Sequence, residues 1–536
     1  MKRKDFIRLL AFTGLAPATF YCTPADKNAF PPTLLGPDSK TGHLLRDGTG
    51  YSSHKTEYIE TLIIGGGIAG LTAAHTLSKN GIADYRLIEL EKQPGGNSSY
   101  RQNSVSAYPL GAHYLPIPNL NQPAMIDFLA DAGIITGFDV NGHPYYLEEY
   151  LCQEPEERLF IKNYWQEGLV PDYSVPETDK HEITDFFRLM KTYQTAIGTD
   201  GREAFCIPVA LSSRDTQYLA LDTLSFKTFL EQQGWKSEYL HWYVDYCLRD
   251  DFGTRYDETS AWMGIHYFAS RKGISANAEK NDVLTWPEGN GKLADALRKK
   301  VEPHIRCQQM ALHIDTDGKT HRVTFFDVAG NEYNSIECRN LVLAVPQFIC
   351  HKILPPEIAH PLPQKIEYSP WLIANLTVKP LPEDGRGAPL SWDNVIYGST
   401  GLGYVNACQQ HQKTVHEKFV FTYYRPLLDL SPADMRKAIR NSSTAEWKKM
   451  VLDDLRTAHN NIEESLLDME IYVTGHSMPQ PRPGLMRQVL SLTETDADGI
   501  YFCHSDLAGY SIFEEAFYWG HRVAEKIIQK KALHAV

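Results

Sequence analysis

Residues 58–89 read YIETLIIGGGIAGLTAAHTLSKNGIADYRLIE, and this stretch decides the fold. It contains the apolar run Leu62–Ile64, which is typical of a strand buried on both faces. A glycine-rich turn, Gly65–Gly70, comes next and is followed by a helical pattern that ends at Asn80-Gly81. A second apolar strand then ends in Glu89. Strand, glycines, helix, strand and acid in this order predict a βαβ unit that binds a dinucleotide.

Each part of this unit has a physical task. Gly65 permits the tight turn, Gly67 lets the backbone approach a pyrophosphate, and Gly70 lets helix and strand pack closely. The first helical turn offers free N–H groups and the positive end of the helix dipole to the phosphates. Glu89 lies 19 residues after Gly70, where its carboxylate can accept hydrogen bonds from ribose hydroxyls. It would repel a 2′-phosphate, which argues against NADP.

Two later stretches extend the pattern. Gln93-Pro94-Gly95-Gly96-Asn97 places a glycine pair shortly after Glu89, and Leu110-Gly111-Ala112-His113-Tyr114 follows. Near the C-terminus, an apolar strand from Gly499 runs towards Asp506. Ser511-Ile512-Phe513-Glu514 then has the form of a capping box, which predicts the start of a helix.

These motifs resemble the flavin amine oxidase, protoporphyrinogen oxidase and phytoene desaturase superfamily of FAD-dependent oxidoreductases. The resemblance implies noncovalent FAD, with the Gly-Gly loop near its phosphates and residues 110–114 along its isoalloxazine ring. It also implies that Asp506 bonds the ribityl or phosphate portion, and that the first strand of a β-layer within residues 310–326 touches adenine. The expected cofactor-binding residues are Gly65, Gly67, Ile68, Ala69, Gly70, Glu89, Gly95, Gly96, Asn97, Gly111, Ala112, His113, Ala311, Asp506, Ser511, Phe513 and Glu514.

The expected fold class is α/β, with a doubly wound, Rossmann-like FAD-binding domain and an inserted mixed α+β substrate domain. The FAD domain is expected to comprise residues 57–115, 285–350 and 485–532. The substrate domain is expected to comprise 116–284 and 351–484, where the resemblance is weak.

The expected function is transfer of a hydride from a small organic substrate, as in amine oxidases, to noncovalent FAD. An unknown external acceptor would then reoxidise the flavin. One alternative is a desaturase or porphyrinogen-type oxidase of an apolar substrate. Another is a non-catalytic binding protein on the same scaffold, as in the Rab escort proteins. No catalytic residue is assigned from the sequence.

Composition limits the partners. An apolar content of 43% is enough for a large core, whereas a net charge of −13 without basic clusters excludes nucleic acid as an expected partner. The nine cysteines include no CxxC pair, so no metal site is expected.

The N-terminus has the features of an export signal. Residues 1–22 combine a basic start with an apolar stretch, and Arg3-Lys4-Asp5-Phe6-Ile7-Arg8 resembles a twin-arginine motif with lysine as its second member. A periplasmic or exported protein is expected; lipidation at Cys22 and a cytoplasmic location are the alternatives. Residues 23–56 are expected to be a linker or surface wrap. No integral membrane span is expected in the mature chain, because no later apolar run reaches about 20 residues.

Overall fold

Two eight-stranded sheets form the framework of the protein. The computed structural model describes residues 31–47, 55–358, 360–362, 365–381, 385–411, 413, 415–492 and 496–534. The expected export signal, residues 1–22, lies outside the described residues. Within them, the strands are β1 Thr33–Leu35, β2 Thr56–Ile64, β3 Tyr85–Glu89, β4 Tyr100–Gln102, β5 Ala107–Pro109, β6 Tyr114–Pro116, β7 Ile135–Phe138, β8 Pro144–Tyr146, β9 Glu157–Ile161, β10 Tyr164–Glu167, β11 Val283–Thr285, β12 Ile305–Cys307, β13 Gln309–Thr316, β14 His321–Asp327, β15 Glu332–Leu343, β16 Tyr368–Val378, β17 Asp393–Ile396, β18 Tyr404–Asn406, β19 Phe419–Pro426, β20 Leu466–Pro479, β21 Asp496–Ala497 and β22 Ile500–Phe502.

The helices connect and cover the sheets. In the same described ranges they are α1 Ser39–Gly42, α2 Leu44–Asp47, α3 Ile68–Lys79, α4 Pro123–Asp131, α5 Glu177–Gln194, α6 Thr216–Leu219, α7 Phe226–Gln232, α8 Glu238–Phe252, α9 Ala261–Ala269, α10 Gly291–Arg298, α11 Gln347–Ile353, α12 Pro432–Asn441, α13 Thr444–Leu455, α14 Ile462–Ser465, α15 Leu485–Ser491 and α16 Phe513–His534. None of these helices is long and apolar enough to cross a membrane.

The first sheet has the strand order β12-β3-β2-β15-β14-β13, and β22 pairs with the carboxyl-terminal half of β15. The pairs β12–β3, β3–β2, β2–β15 and β15–β22 are all parallel. Ligands bind at the carboxyl ends of such strands. The turns after β2, β3 and β22 therefore meet at one edge, as the α/β prediction requires.

The helices α3 and α16 pack on one face of this sheet. Ile63 and Leu71 share an apolar cluster with Phe517 and Val523, all buried. The two helices approach closely at Gly520, where a Cβ would collide with the carbonyl oxygen of Ala69. This packing joins the C-terminal helix to the first turn of α3, more than 400 residues away in sequence.

The second sheet is mixed and has the order β1-β20-β16-β19-β18-β17-β9-β10. Its long central strand β16 is antiparallel to both β19 and β20. All eleven residues of β16 are buried, which places the sheet between layers of other elements. One end of this sheet faces the ligand edge of the first sheet and forms part of the cavity described below.

Part of the expected linker over residues 23–56 is regular structure. Strand β1 pairs in parallel with β20, with Thr33 opposite Glu470. The backbone N–H of Asp38 then donates to Oε1 of Glu91, at 2.8 Å. Because Glu91 follows β3 of the first sheet, residues 31–47 connect the edge of one sheet to the other.

Candidate active site between the two sheets

The turn after β2 requires glycine at its two ends. Gly65 has φ +104°, a conformation that side chains disfavour, and a Cβ there would collide with the carbonyl of Ala344. A Cβ at Gly70 would collide with the carbonyl oxygen of Gly65. The roles expected for these glycines, a tight turn and close helix packing, therefore agree with the local geometry.

Gly67 differs from both, because a Cβ there would meet no protein atom within 4 Å. Gly67 lies at the N-cap of α3, next to the first-turn residues Ile68 and Ala69. The first N–H groups of a helix lack intrahelical acceptors. Open space in front of such groups is the arrangement that binds phosphate.

The second glycine pair covers this turn. The Gly95 N–H donates to the carbonyl of Gly66 at 2.8 Å. A Cβ on Gly96 would lie 3.2 Å from Cα of Gly67. Two segments that are about 30 residues apart in sequence thus form one glycine-lined surface at the start of α3.

Glu89 supports the turn. Its Oε2 accepts a hydrogen bond from the Gly66 N–H at 2.6 Å, and its Oε1 accepts one from the Glu91 N–H at 2.8 Å. Burial raises the pKa of Glu89, and these two N–H groups oppose that rise. The side chain is half-buried, so part of it faces solvent at the position expected for a ribose.

A cavity of about 930 Å³ of empty space, including its mouth, lies between the two sheets. It is lined by Gly96, Asn97, Leu110, Gly111, Ala112, His113, Tyr114, Pro116, Asp250, Asp251, Arg271, Asn290, Trp371, Ile373, Tyr424, Tyr472, Thr474, Ser477, Met478, Ser511, Ile512, Phe513 and Glu514. Three of the expected cofactor stretches therefore meet at one cavity: the Gly-Gly loop, residues 110–114 and residues 511–514.

Asn97 connects the walls of this cavity. Its carbonyl accepts a hydrogen bond from the Ala112 N–H at 2.8 Å, and a Cβ on Gly111 would collide with the same carbonyl. Its side-chain Nδ2 donates to the carbonyl of Ser477 at 2.7 Å and lies 3.4 Å from Oγ of Ser511. One exposed residue thus contacts the second sheet and the segment before α16.

An aromatic group forms one wall. The ring of His113 stacks on Tyr424 with centroids 4.5 Å apart and lies 5.7 Å from Trp392. Tyr114 meets Trp392 edge-on at 6.0 Å. Burial lowers the pKa of His113 to about 4, so its imidazole is neutral near pH 7.

The cavity also contains charged side chains at the end of α8. Asp251 forms an ion pair with Arg271 at 2.6 Å and accepts a hydrogen bond from the Tyr114 hydroxyl at 3.3 Å. In the described parts of the chain, Asp250 has neither an ion-pair partner nor a hydrogen bond. Burial and the neighbouring Asp251 raise the pKa of Asp250 to about 7, and burial raises that of Glu514 to about 7 as well.

Several polar atoms at the cavity are buried without a partner in the described chain. They are Oδ1 of Asn290, Nε1 of Trp371, the hydroxyl of Tyr424 and Oγ of Ser477. Because each of these atoms has almost no accessible surface, the four residues line the cavity through their other atoms, and the unpartnered atoms do not by themselves indicate a ligand.

Asp506 is enclosed by protein atoms, so its expected contact with the ribityl or phosphate portion would need a rearrangement and stays a prediction. Its side chain is 0% exposed, and its Oδ2 accepts hydrogen bonds from the Gln347 N–H at 2.8 Å and the Tyr368 hydroxyl at 2.5 Å. A ligand cannot contact a residue that has no accessible surface. The geometry gives Asp506 a structural task, which is to connect the end of β22 to α11 and β16.

The capping box expected for Ser511 and Glu514 is also absent among the described hydrogen bonds. Helix α16 begins at Phe513, and the Ser511 hydroxyl lies next to Asn97. The prediction was wrong because the side chain has a tertiary partner that competes with the local cap.

Ala311 lies in β13 and is 5% exposed. The pairing of β13 with β14 shifts between Ala311 and His313, so Leu312 forms a bulge. A bulge leaves backbone groups outside the ladder. Ala311 does not line the cavity, and a backbone contact to adenine there stays a prediction.

The sequence reasoning missed the acidic and aromatic residues on the wall formed by α8 and the second sheet, called the far wall, chiefly Asp250, Asp251, Trp371 and Tyr472. It also missed Arg271, which pairs with Asp251. The only local signal was the charged triplet Arg249-Asp250-Asp251 at the end of an amphipathic helix. A charged helix end is usually solvated, so this signal alone would not have identified a cavity.

Comparisons with known proteins agree with this architecture. Residues 63–132 match the NAD(P)-binding Rossmann-like domain model. The sequence has no significant match among curated proteins. A solved structure of putrescine oxidase bound to putrescine is 17% identical, with a TM-score of 0.64, and the alignment covers 88% of this chain and all of that chain.

Cyclohexylamine oxidase from Brevibacterium oxydans is 14% identical, with a TM-score of 0.64 over 88% of this chain and 99% of that one. The chain has the fold of these amine oxidases. It is also similar, at a TM-score of 0.59 and 14% identity over 87% of this chain and 98% of the other, to a fatty acid isomerase from P. acnes. The expected α/β fold with a Rossmann-like unit is thereby confirmed, as is the resemblance in fold on which it was based.

Proposed function

We propose that the protein is an FAD-dependent oxidoreductase of the amine-oxidase type. The support is the coincidence of an open, glycine-lined helix start with a cavity at which residues 96–97, 110–114 and 511–514 meet. The turn 65–70 would hold the pyrophosphate and Glu89 a ribose, while residues 96–97, 111–113 and 511–514 would contact the remainder of FAD. When bound, FAD would supply the hydride acceptor.

The binding is proposed to be noncovalent. A thioether link to flavin needs a cysteine thiol, and no cysteine of the described chain lines the cavity. His113, the imidazole nearest to the expected ring position, is neutral and stacked on Tyr424.

The proposed substrate is a small amine, and Asp250 is the observation that carries this choice. A carboxylate that is partly removed from water and has no partner is costly unless a cation joins it. Asp251 is already neutralised by Arg271, so Asp250 is the acid that is available to a ligand. A protonated amine supplies one positive charge and N–H donors for a charge-assisted hydrogen bond.

The protein's own contribution follows from the arrangement of its residues. Asp250 would position the nitrogen end of the substrate. The rings of His113, Tyr114 and Tyr424 would exclude water and confine the carbon chain. An external electron acceptor would complete the cycle.

The rival substrate class is apolar. The aromatic wall and residues such as Ile373 and Met478 would suit such a molecule, and the similarity to a fatty acid isomerase is in its favour. Burying Asp250 beneath an apolar molecule would leave its charge unpaired, which counts against this alternative.

The test begins with purified, tag-free protein. We expect a yellow protein with about one FAD per chain, released into the supernatant by acid precipitation. Under anaerobic conditions, amines of increasing chain length should bleach the flavin, and porphyrinogens or carotenoid-like compounds should not. A colourless protein that FAD does not stabilise would support the non-catalytic alternative. Bleaching only by apolar compounds would overturn the amine assignment.

A further inference from the structure

The loop between β18 and β19 brings together three side chains that can bind a metal. These are Cys408, His411 and His416, and one ligand atom from each lies within 4.8 Å of the others. They come from the sequence Cys408-Gln409-Gln410-His411-Gln412-Lys413-Thr414-Val415-His416, which has no CxxC pair. Residues 412 and 414 lie outside the described residues and have no part in the argument.

The backbone holds the first two ligands at fixed positions. The His411 N–H donates to the carbonyl of Cys408 at 3.0 Å, which closes a turn between them. The Ala407 N–H donates to the carbonyl of Val420 at 3.0 Å, so a backbone hydrogen bond joins the two ends of the loop at its base. Gln410 anchors the turn from outside, since its Nε2 donates to the carbonyl of Leu151 at 3.0 Å.

A second group of contacts surrounds the ligands. The Ser106 hydroxyl lies 3.1 Å from Nε2 of His411 and donates to the carbonyl of Ala407 at 3.2 Å. An outer hydrogen bond of this kind orients a histidine that binds metal through its other nitrogen. The ring of His416 packs against Phe419 with centroids 5.2 Å apart.

The degree of burial suits an ion that enters from solvent. Cys408 is fully buried and forms no disulfide, whereas His411 and His416 are half-buried at the surface. In the metal-bound form the imidazoles would be neutral ligands, and the thiol would have released its proton to solvent as the metal–sulfur bond formed.

We propose that Cys408, His411 and His416 form a binding site for a transition-metal ion of the zinc class, with solvent as a fourth ligand. One thiolate and two imidazoles suit zinc and copper and do not suit magnesium or calcium. Zinc bonds of about 2.0–2.3 Å place neighbouring ligand atoms roughly 3.3–3.7 Å apart. The three ligand atoms would need to approach one another by about 1 Å, which rotation of the half-buried histidine side chains provides.

This site is independent of the proposed flavin chemistry, because none of its three ligands lines the cavity. Its expected task is structural: the ion would fasten the loop that joins β18 to β19, the strand that carries Tyr424. The sequence predicted no metal, since the ligands follow a C-x2-H-x4-H spacing that matches no pattern considered there.

The experiment uses tag-free, full-length protein that has been treated with a chelator, desalted and equilibrated with zinc chloride. We expect about one zinc per chain by mass spectrometry of the metal. X-ray absorption should show one sulfur at about 2.3 Å and nitrogen at about 2.0–2.1 Å. His416→Ala should weaken zinc binding more than tenfold in competition with a chromophoric chelator, and Cys408→Ser should do the same. Cys307→Ser and His313→Ala are controls outside the cluster and should bind zinc as the parent does.

Because Cys408 is buried, folding of each variant is checked by its melting temperature without zinc. His416 is half-exposed, so the His416→Ala variant keeps the test valid if Cys408→Ser fails to fold. Zinc should raise the melting temperature of the parent and leave that of His416→Ala unchanged. Parent protein that retains no zinc, a His416→Ala variant that binds as tightly as the parent, or a metal shell without sulfur would each overturn the proposal. We expect the flavin content of every variant to equal that of the parent, because none of the three ligands lines the cavity.

Discussion

The glycine turn and the far wall of the cavity are built by opposite means. The turn and its covering loop occupy residues 65–96 of one continuous stretch, and their shape is set by backbone contacts such as that of Gly70 with Gly65. The far wall takes side chains from α8, β16, β19 and β20, so its members lie between residues 250 and 478. The phosphate-binding part of a cofactor site can thus be encoded locally, whereas substrate contacts depend on the tertiary fold.

The same contrast applies to substitutions. Substituting a glycine of the turn adds a Cβ that either collides with the backbone or fills space meant for the ligand, so the effect follows from the position of that one atom. A change in the far wall acts through charge and desolvation, so its effect depends on which ligand is present.

The largest effect is expected at the far wall from Asp250→Asn. Losing one partner of a buried charge pair costs about 2–5 kcal/mol. We therefore expect kcat/KM for an amine to fall by about 30-fold to several thousand-fold, with flavin content unchanged. Glu238→Gln removes an exposed acid from the same helix and should have no effect. If Asp250→Asn turns over amines like the parent, the far wall does not bind the substrate cation.

The next prediction compares substitutions at two glycines of the turn, Gly70 and Gly67, which should have different effects. Gly70→Ala should lower the free energy of unfolding by about 1–3 kcal/mol, because its Cβ overlaps the Gly65 carbonyl. Gly67→Val should fold with the melting temperature of the FAD-free parent, since its side chain enters open space, yet it should be purified with little flavin. Thermal melts with and without added FAD, together with the ratio of flavin to protein absorbance, distinguish the two variants. Normal flavin occupancy in Gly67→Val would show that the phosphate binds elsewhere.

The next prediction concerns FAD affinity and Glu89, at the end of the second strand. Glu89→Ala should weaken FAD by about 1–3 kcal/mol, the range for a hydrogen bond with a charged partner. Part of this loss would come from the unsupported Gly66 N–H. Glu60→Ala, on the neighbouring strand β2, is the control. Equal retention of FAD by Glu89→Ala and the parent after dialysis would place the ribose away from Glu89.

Asp506→Ala is expected to affect the fold more than the flavin. It would leave the Gln347 N–H and the Tyr368 hydroxyl without their acceptor, which should destabilise the protein by about 1–3 kcal/mol. Added FAD should then raise the melting temperatures of variant and parent equally. A smaller gain in the variant would mean that Asp506 contacts the cofactor after a rearrangement.

The smallest effect concerns pH. With a pKa of about 7, Asp250 loses its charge as the pH falls below 7, so binding of a permanently cationic quaternary ammonium inhibitor should weaken by up to about tenfold per pH unit. Burial is the main cause of the raised pKa. Asp251 and Glu157 raise it further, and Arg271 and Arg249 lower it. Perturbation of the flavin spectrum reports the inhibitor's dissociation constant. The dependence should vanish in Asp250→Asn and persist in Glu514→Gln.

Much of the fold could be predicted because each signal was local. The apolar strand, the glycines and the acid of residues 58–89 lie within one βαβ unit, and all appear where they were expected. Residues 110–114 and 511–514 also meet at the cavity, as the family resemblance implied. The Ser511 cap was predicted wrongly because a tertiary partner, Asn97, lies next to its hydroxyl. The role of Asp506 at the cofactor stays a prediction, and its present partners include Tyr368.

The far wall gave no such signal. Trp371 and Tyr472 lie on neighbouring strands of the second sheet, and Asp250 lies on a helix more than 100 residues earlier. Whether an aromatic or acidic residue faces a core, solvent or a cavity depends on which elements pack around it, and a single sequence does not contain that information.

The pairing of β1 with β20 has a consequence for the order of events during synthesis. Thr33 lies opposite Glu470, so β1 is synthesised about 440 residues before its partner strand. At roughly 5–20 residues per second, the delay is about 20–90 s. We expect ribosome-bound chains arrested before residue 466 to be cut by protease within residues 31–47, and full-length chains to resist. The second sheet would therefore acquire this edge only after β20 has left the ribosome.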